Sequence, residues 1–238
     1  MFSHLGKTRT SKHNLGIASL LSFVAGLVNV VGFFAVQKLT TNVTGHFAFF
    51  VDEVFKLKFE NALHVALFVI FFLFGSFFAN FMVEVYSRIR ENQIYVLPIC
   101  TEAFILTIIA FQGNDFIKES PDLIAYCLLF AMGMQNSLVT RISKSVVRTT
   151  HLTGLFTDLG IEISQLFFYK DEIHKFKLIR SIKLRLTIIF MFFSGGITGG
   201  ILFSFFGIKS LILGSVILLS GLFYDFVKIR LLLHKRYR

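Results

Sequence analysis

The chain has no Trp, two Cys and two Pro among 238 residues, and Asp, Glu, Lys and Arg together make up only 16%. Each scarcity removes a class of protein. Cys100 and Cys127 both fall inside apolar runs and read as small buried hydrophobes, which leaves neither a disulfide framework nor a thiolate metal site. No His-Glu-x-x-His, Cys-x-x-Cys or spaced His cluster offers a metal centre, and no Gly-x-Ser-x-Gly, phosphate loop or paired-aspartate motif offers a catalytic one. The expectation is a non-enzyme that carries no cofactor. Too little polar sequence separates the apolar runs for a sizeable soluble domain. Trp ordinarily marks the membrane interface; here Tyr86, Tyr95, Tyr126, Tyr169 and Tyr224, each near the end of an apolar run, are the candidates to replace it.

What is abundant points one way. Hydrophobic residues make up 55% of the chain, Phe occurs 32 times and mean hydropathy is +0.72, values that belong to a polytopic helical membrane protein. Six runs read as spans: 15–36, 62–85, 95–111, 123–139, 186–206 and 210–233. The first would rise roughly 33 Å as a helix, enough to cross a hydrocarbon core. Lys7, Arg9 and Lys12 precede it, but the run is long and lacks a small-residue cleavage site, so residues 1–14 read as a cytoplasmic tail before an uncleaved span. The net charge of +10 reads as basic cytoplasmic loops in contact with a lipid bilayer, and nucleic acid is not expected.

One stretch occurs twice. Thr40-Thr41-Asn42-Val43-Thr44-Gly45-His46-Phe47 and Thr149-Thr150-His151-Leu152-Thr153-Gly154-Leu155-Phe156 share the pattern T-T-x-[V/L]-T-G-x-F. Gly26 and Asn29 precede the first copy as Gly133 and Asn136 precede the second, and a glutamate, Glu53 or Glu162, lies eight residues beyond each glycine. The chain therefore divides into two related halves, 15–118 and 119–238, within one membrane domain. The segment Gln112–Asp122 reads as the polar loop between them. Each copy opens a short apolar segment, 45–57 or 154–168, better suited to a re-entrant or half helix than to a span.

Charge decides the topology. With six spans and an internal N-terminus, only Lys38, Lys56, Lys58, Lys118 and Lys209 fall outside; the other nineteen of 24 Lys and Arg fall inside, the Lys170–Arg185 connector among them. Both termini are then cytoplasmic. Three spans per half is an odd number, so the halves are inverted, and an inverted repeat with a broken segment at corresponding places marks a transporter site. The fold class expected is an all-α membrane protein of six transmembrane helices plus two short re-entrant or half helices, arranged as two inverted three-span repeats.

The candidate residues follow. Thr and Asn cap helix N-termini, and Gly permits close backbone approach. Thr41, Asn42, Thr44 and Gly45 with Asn29, and Thr150, His151, Thr153 and Gly154 with Asn136, would present two positive helix ends to a small anionic or zwitterionic solute. The alternative is that both motifs only turn the chain and pack it. Glu102 lies well inside an apolar span, where a carboxyl is costly and usually functional; it is the candidate proton site, or else structural glue to Asn29, Asn136 or a Thr hydroxyl. Asp158, one turn into its helix, is a second coupling candidate or a simple cap.

Gly133-x-x-Asn136, the run Thr149-Thr150-His151-Leu152-Thr153-Gly154 and Asp158 resemble the YoaK family of bacterial integral membrane proteins, as do Val43-Thr44-Gly45 and Glu102. That family often has Asn where this chain has His46. The resemblance covers nearly the whole chain and implies a multi-pass protein of the bacterial cytoplasmic (inner) membrane, without naming an activity. Taken together, these features lead to an expected secondary permease, with proton coupling through Glu102 as a candidate. A membrane scaffold or sensor acting through the basic connector is the alternative, and a homo-oligomer is compatible with either.

Overall fold

The computed structural model describes residue 2 and residues 10–88, 94–143, 145–169 and 171–236. It is helical throughout, with no strand among the described residues. The helices are α1 (Ser11–Val36), α2 (Thr44–Phe55), α3 (Phe59–Ser87), α4 (Val96–Ala110), α5 (Asn114–Glu119), α6 (Pro121–Ser143), α7 (Leu152–Phe168), α8 (Glu172–Phe206) and α9 (Leu211–Arg236). Among the described residues, four stretches are long and apolar enough to cross a membrane: Lys12–Val36, Phe59–Ser87, Pro121–Ser143 and Glu172–Lys228. The last holds α8 and most of α9, joined by the 3-10 turn Gly207–Ser210. α4 is a shorter apolar helix.

Local chemistry sets the helix ends. α1 stops where Gln37 enters the left-handed region at φ 53° and its N–H donates to the Phe33 carbonyl at 2.8 Å. α8 starts at Asp171, whose carboxylate accepts from the His174 N–H at 3.2 Å, and stops at Gly207, φ 58°. The outward faces are apolar. Phe55 is 88% exposed, Phe167 80% and Phe205 76%, an arrangement stable only where lipid replaces water.

The core is built between the halves. α1 lies along α8, α3 along α6, and α4 along α9, while the short helices rest on their chain neighbours, α2 on α3 and α7 on α8. Two close crossings repeat each other. A Cβ at Gly26 would sit 1.9 Å from the Phe192 carbonyl oxygen, and one at Gly195 would sit 2.0 Å from that of Phe23. At the α3–α6 crossing, Gly133 has the same relation to Phe72 at 2.1 Å, and Gly75 to Phe130 at 2.0 Å. Only hydrogen fits at these four positions, so the backbones touch, the usual way helices associate without a hydrophobic driving force. The repeat thus extends to Phe-x-x-Gly-x-x-Asn in α1 and α6 and to Phe-x-x-Gly in α3 and α8.

α1 and α6 also touch and run antiparallel. Lys38, just past the end of α1, pairs at 3.7 Å with Asp122 at the start of α6, and farther along Gln135 Nε2 donates to the Leu21 carbonyl at 3.0 Å. The two Thr-Thr segments, each following one of these helices, therefore sit at opposite ends of the bundle.

Several expectations change. The Gln112–Asp122 segment is not a plain loop: α5 forms within it, and α6 starts at Pro121, a residue suited to the first helical turn. The Lys170–Arg185 connector is not a loop either. From Glu172 onward it is the first part of α8, because Lys and Arg are good helix formers and Asp171 caps the start; Lys170 lies outside the described residues. Tyr95 and Tyr126 are not interface anchors. Tyr95 is buried and stacks on Phe2 at 5.5 Å, and Tyr126 is buried with its hydroxyl 3.2 Å from His64 Nδ1. Phe2 is itself fully buried and its N–H donates to the Asp225 carboxylate, so this part of the tail belongs to the core. Residues 1 and 3–9 of that tail, Lys7 and Arg9 among them, lie outside the described residues.

Candidate functional site

The two Thr-Thr segments are tied to the preceding helix in matching ways. Thr41 Oγ1 donates to Asn29 Oδ1 at 2.7 Å, and Thr150 Oγ1 donates to Asn136 Oδ1 at 3.0 Å. The first Thr of each copy is fully buried: Thr40 donates to the Val28 carbonyl at 3.3 Å, and Thr149 donates to Asn136 Oδ1 at 3.3 Å while accepting from Gln135 Nε2 at 3.4 Å. The expectation that the threonines cap the short helices is not met. The hydroxyls of Thr41, Thr149 and Thr150 turn sideways to the asparagines of α1 and α6, and that of Thr40 to the Val28 carbonyl. In the first copy Asn42 Oδ1 accepts from the Gly45 N–H at 3.1 Å; in the second, His151 occupies that place and α7 starts without a side-chain cap. Thr44, Thr153, Gly154 and His151 are exposed.

Each short helix is fastened to its neighbour by the repeated glutamate. Glu53 Oε2 accepts from Asn61 at 3.0 Å, and Glu162 Oε1 accepts from Ser181 at 2.6 Å. Counted from Gly75 and Gly195, Asn61 and Ser181 are equivalent, so the fastening is duplicated as well. The second half adds Arg185, which reaches Glu162 through Nε at 2.9 Å and Asp158 through Nη1 at 2.9 Å. Asp158 is therefore an ion-pair partner rather than a cap.

Between each short helix and its supporting helix lies a cavity. The first, about 440 Å³, is bordered by Lys38, His46, Glu53, Asn61, His64 and Asp122. The second, about 530 Å³, is bordered by Arg148, His151, Gly154, Asp158, Ser181 and Arg185. Equivalent positions line both: His46 matches Leu155 and Asn61 matches Ser181. Each cavity brings together cationic and anionic side chains and a histidine, a set suited to a ligand carrying both charges. The two copies line separate cavities at opposite ends and share no lining residue. Of the predicted binding residues only His151 and Gly154 line one of them; Asn29, Thr41, Asn42, Thr44, Gly45, Asn136, Thr150 and Thr153 line neither.

A third cavity, about 640 Å³, lies between α3, α6 and the turn before α7, with Asn136, Arg148 and His151 in its wall.

Glu102 is placed apart from both Thr-Thr copies, on α4, whose neighbours are α6 and α9. It is 1% exposed and its Oε1 has no hydrogen-bond partner, as is also true of Ser22 Oγ and Gln135 Oε1. Asn29 and Asn136 do not hold it, since both are committed to threonines. No group of three His, Cys, Asp or Glu able to hold a metal ion occurs among the described residues.

Sequence reasoning passed over Arg185, His64, Asn61 and Gln135. Arg185 and Asn61 carried a usable signal, because each follows a repeated glutamate at the start of a long apolar helix. His64 and Gln135 carried none: their partners lie on distant segments.

A sequence profile of the family described as protein of unknown function (DUF1275) matches residues 17–224. UPF0700 transmembrane protein YoaK of Bacillus subtilis (strain 168) is 25% identical over 185 residues, which cover 76% of this chain and 80% of the relative. No solved structure matches the chain.

Proposed function

The chain belongs to the DUF1275 family of membrane proteins, and on that premise we propose that it is a secondary permease for a small anionic or zwitterionic solute. In this reading α1, α3, α4, α6, α8 and α9 span the membrane, α2 and α7 are half helices, and both termini are cytoplasmic. The halves are inverted repeats, a reading supported by the antiparallel α1 and α6 and by the reciprocal glycine crossings.

The observation that carries the proposal is the pair of equivalent polar cavities at opposite ends of the bundle, each beside one Thr-Thr segment. A protein that alternately exposes one site needs an approach from either side, and two related halves supply both. His151 and Gly154 border the second approach, and the bare start of α7 meets the solute there; the Asn29–Thr41 and Asn136–Thr150 bonds hold the backbone beside each approach, with Asn42, Thr44, Gly45 and Thr153 in the same turns. Glu102 carries the coupled proton, and Asp158 opens or closes the second approach by exchanging its bond to Arg185.

The experiment is flux into proteoliposomes across a panel of amino acids, carboxylates and phosphorylated metabolites, with and without a pH gradient. Proton-coupled uptake of at least one class is expected. No uptake of any panel member, together with no ligand-induced thermal shift, overturns the proposal.

A second reading has its own observation. The first turns of α8 expose Lys175, Lys177, Arg180 and Lys183 beside Ile173 and Phe176, a basic and apolar surface of the kind that holds a partner or a lipid headgroup layer. For a scaffold of this kind, removing these charges would abolish function while substitutions at the Thr-Thr segments would not.

A further inference from the structure

The α3–α6 cavity is lined by polar side chains, and the internal repeat shows what the fold alone requires there. Counted from Gly75 and Gly133, its wall includes Ser76, Asn80, Ser137, Thr140 and Arg141. The equivalent positions, counted from Gly195 and Gly26, are Gly196, Gly200, Val30, Phe33 and Phe34. All five are apolar, and they close on one another: a Cβ at Gly200 would sit 3.5 Å from both Phe34 and Val30. At these five positions the same helix crossing is thus satisfied by apolar residues, Asn29 alone matching a polar residue of the helical lining, Asn136, so packing does not explain the other five polar side chains.

The chemistry of that set is one-sided. The lining offers hydroxyls, two amides, an imidazole and two guanidiniums, and no carboxylate. Arg141 is held from one side by Glu84. Arg148 has no ion-pair partner among the described residues, and Asn80, Ser137 and Thr140 have no side-chain hydrogen bond there. Guanidinium with amide and hydroxyl donors is the usual recognition set for a phosphate-type oxyanion.

We propose that this α3–α6 cleft is a binding site for a phosphate-bearing anion, with Arg148 as the principal charge and Asn80, Ser137 and Thr140 as donors. The phosphate belongs either to a free solute or to an anionic phospholipid headgroup. The site shares Ser145, Arg148 and His151 with the second cavity of the permease reading, and Ser137, which lines only this cleft, separates the two.

The test uses the purified full-length protein. Thermal unfolding in detergent is followed with inorganic phosphate and with sodium chloride at equal ionic strength. It is followed again in nanodiscs of phosphatidylcholine with or without phosphatidylglycerol. A rise of several degrees with phosphate over chloride, lost in Arg148→Gln and reduced in Ser137→Val, supports the site with a free anion as its ligand. A rise with phosphatidylglycerol alone, lost in the same variants, supports it with a lipid ligand. Lys118→Gln, which removes one exposed charge elsewhere, is expected to retain either response. No response in either medium overturns the proposal, as does a response that Ser137→Val leaves intact, since Arg148 also borders the second cavity and Ser137 does not. Should Arg148→Gln fail to fold, Ser137→Val and Arg148→Lys decide the matter by the same criterion. Because binding is read at equilibrium, failure here leaves the flux result standing, and failure of flux leaves this one standing.

Discussion

Thr41 Oγ1 lies 2.7 Å from Asn29 Oδ1, and the same bond recurs between Thr150 and Asn136 at 3.0 Å. Each pair fixes the turn between a long helix and the short helix that follows it. The duplicated motif is therefore a tether first, and whatever it presents to a solute is presented by a backbone these bonds hold still.

If that is right, Thr41→Val and Asn29→Ala should each cost roughly 0.5–1.5 kcal/mol, and the double variant little more than either single one. Thermal unfolding of the full cycle, repeated for Thr150 and Asn136, measures the coupling. Additive losses would mean that the bonds do not act as pairs.

Gly154 separates fold from site. A Cβ added there meets nothing within 4 Å, whereas one at Gly26 would collide with the Phe192 carbonyl. Gly154→Ala should keep the unfolding temperature and lower flux. Gly26→Ala should destabilise by about 1–3 kcal/mol or more through forced separation of α1 and α8. Unfolding temperature and transport, measured side by side on the two variants, check both statements.

Arg185 is shared by two carboxylates, with 22% of its side chain exposed against 14% for Glu162 and 50% for Asp158. Its loss strands the better buried Glu162. Arg185→Ala should therefore destabilise more than Asp158→Asn, by about 1–2 kcal/mol after allowance for solvent screening. Arg185→Lys should restore only part of the loss, since an ammonium cannot bridge both acids with the same geometry. Chemical denaturation of the three variants would show this order.

Asp171 gives a pH dependence. The side-chain hydrogen bond from His174 holds its carboxyl below the usual carboxylate range, helped by the backbone N–H it caps. A carboxyl depressed in the folded state contributes stability that is present above the ordinary value, near pH 4, and is lost as pH falls through the lowered value. The start of α8 should fray over that acidic interval. Hydrogen exchange at the amides of His174 and Lys175 should accelerate there, and Asp171→Ala should exchange fast at every pH.

Glu102→Gln addresses the proton. The substitution keeps the shape and removes the ionisable group from a buried position, so the fold should hold and the pH dependence of flux should disappear. Uptake that stays pH-dependent in this variant would assign the proton elsewhere.

How far the sequence carried is visible in single residues. Gly26, Asn29, Gly133 and Asn136 stood out as repeated letters, and the structure gives each a partner. What the letters could not say is which partner: Asn29 meets Thr41 only because the turn folds back along α1. Glu53 and Glu162 were visible in the same way, yet Asn61 and Ser181, which hold them, lie on the next helix. The charge count led to six spans by treating the Lys170–Arg185 segment as a connector. Hydropathy cannot distinguish a basic loop from a basic helix, and helix propensity with the Asp171 cap decides for the helix. Phe2 was hidden in a basic tail, since burial of one aromatic against Tyr95 leaves no periodic trace. The polar lining of the α3–α6 cleft was hidden for the opposite reason: its members come from three segments and form no motif.

The glycine crossings bear on how the protein is made. α1 finds its close partner in α8 and α3 finds its own in α6, so neither half contains the helix its glycines fit. The first half, once synthesised, holds open faces in the bilayer until the second arrives. A chain divided between α4 and α6 should yield two fragments that are each degraded alone and rescue one another when produced together, which makes the duplicated halves obligate subunits that share a single polypeptide.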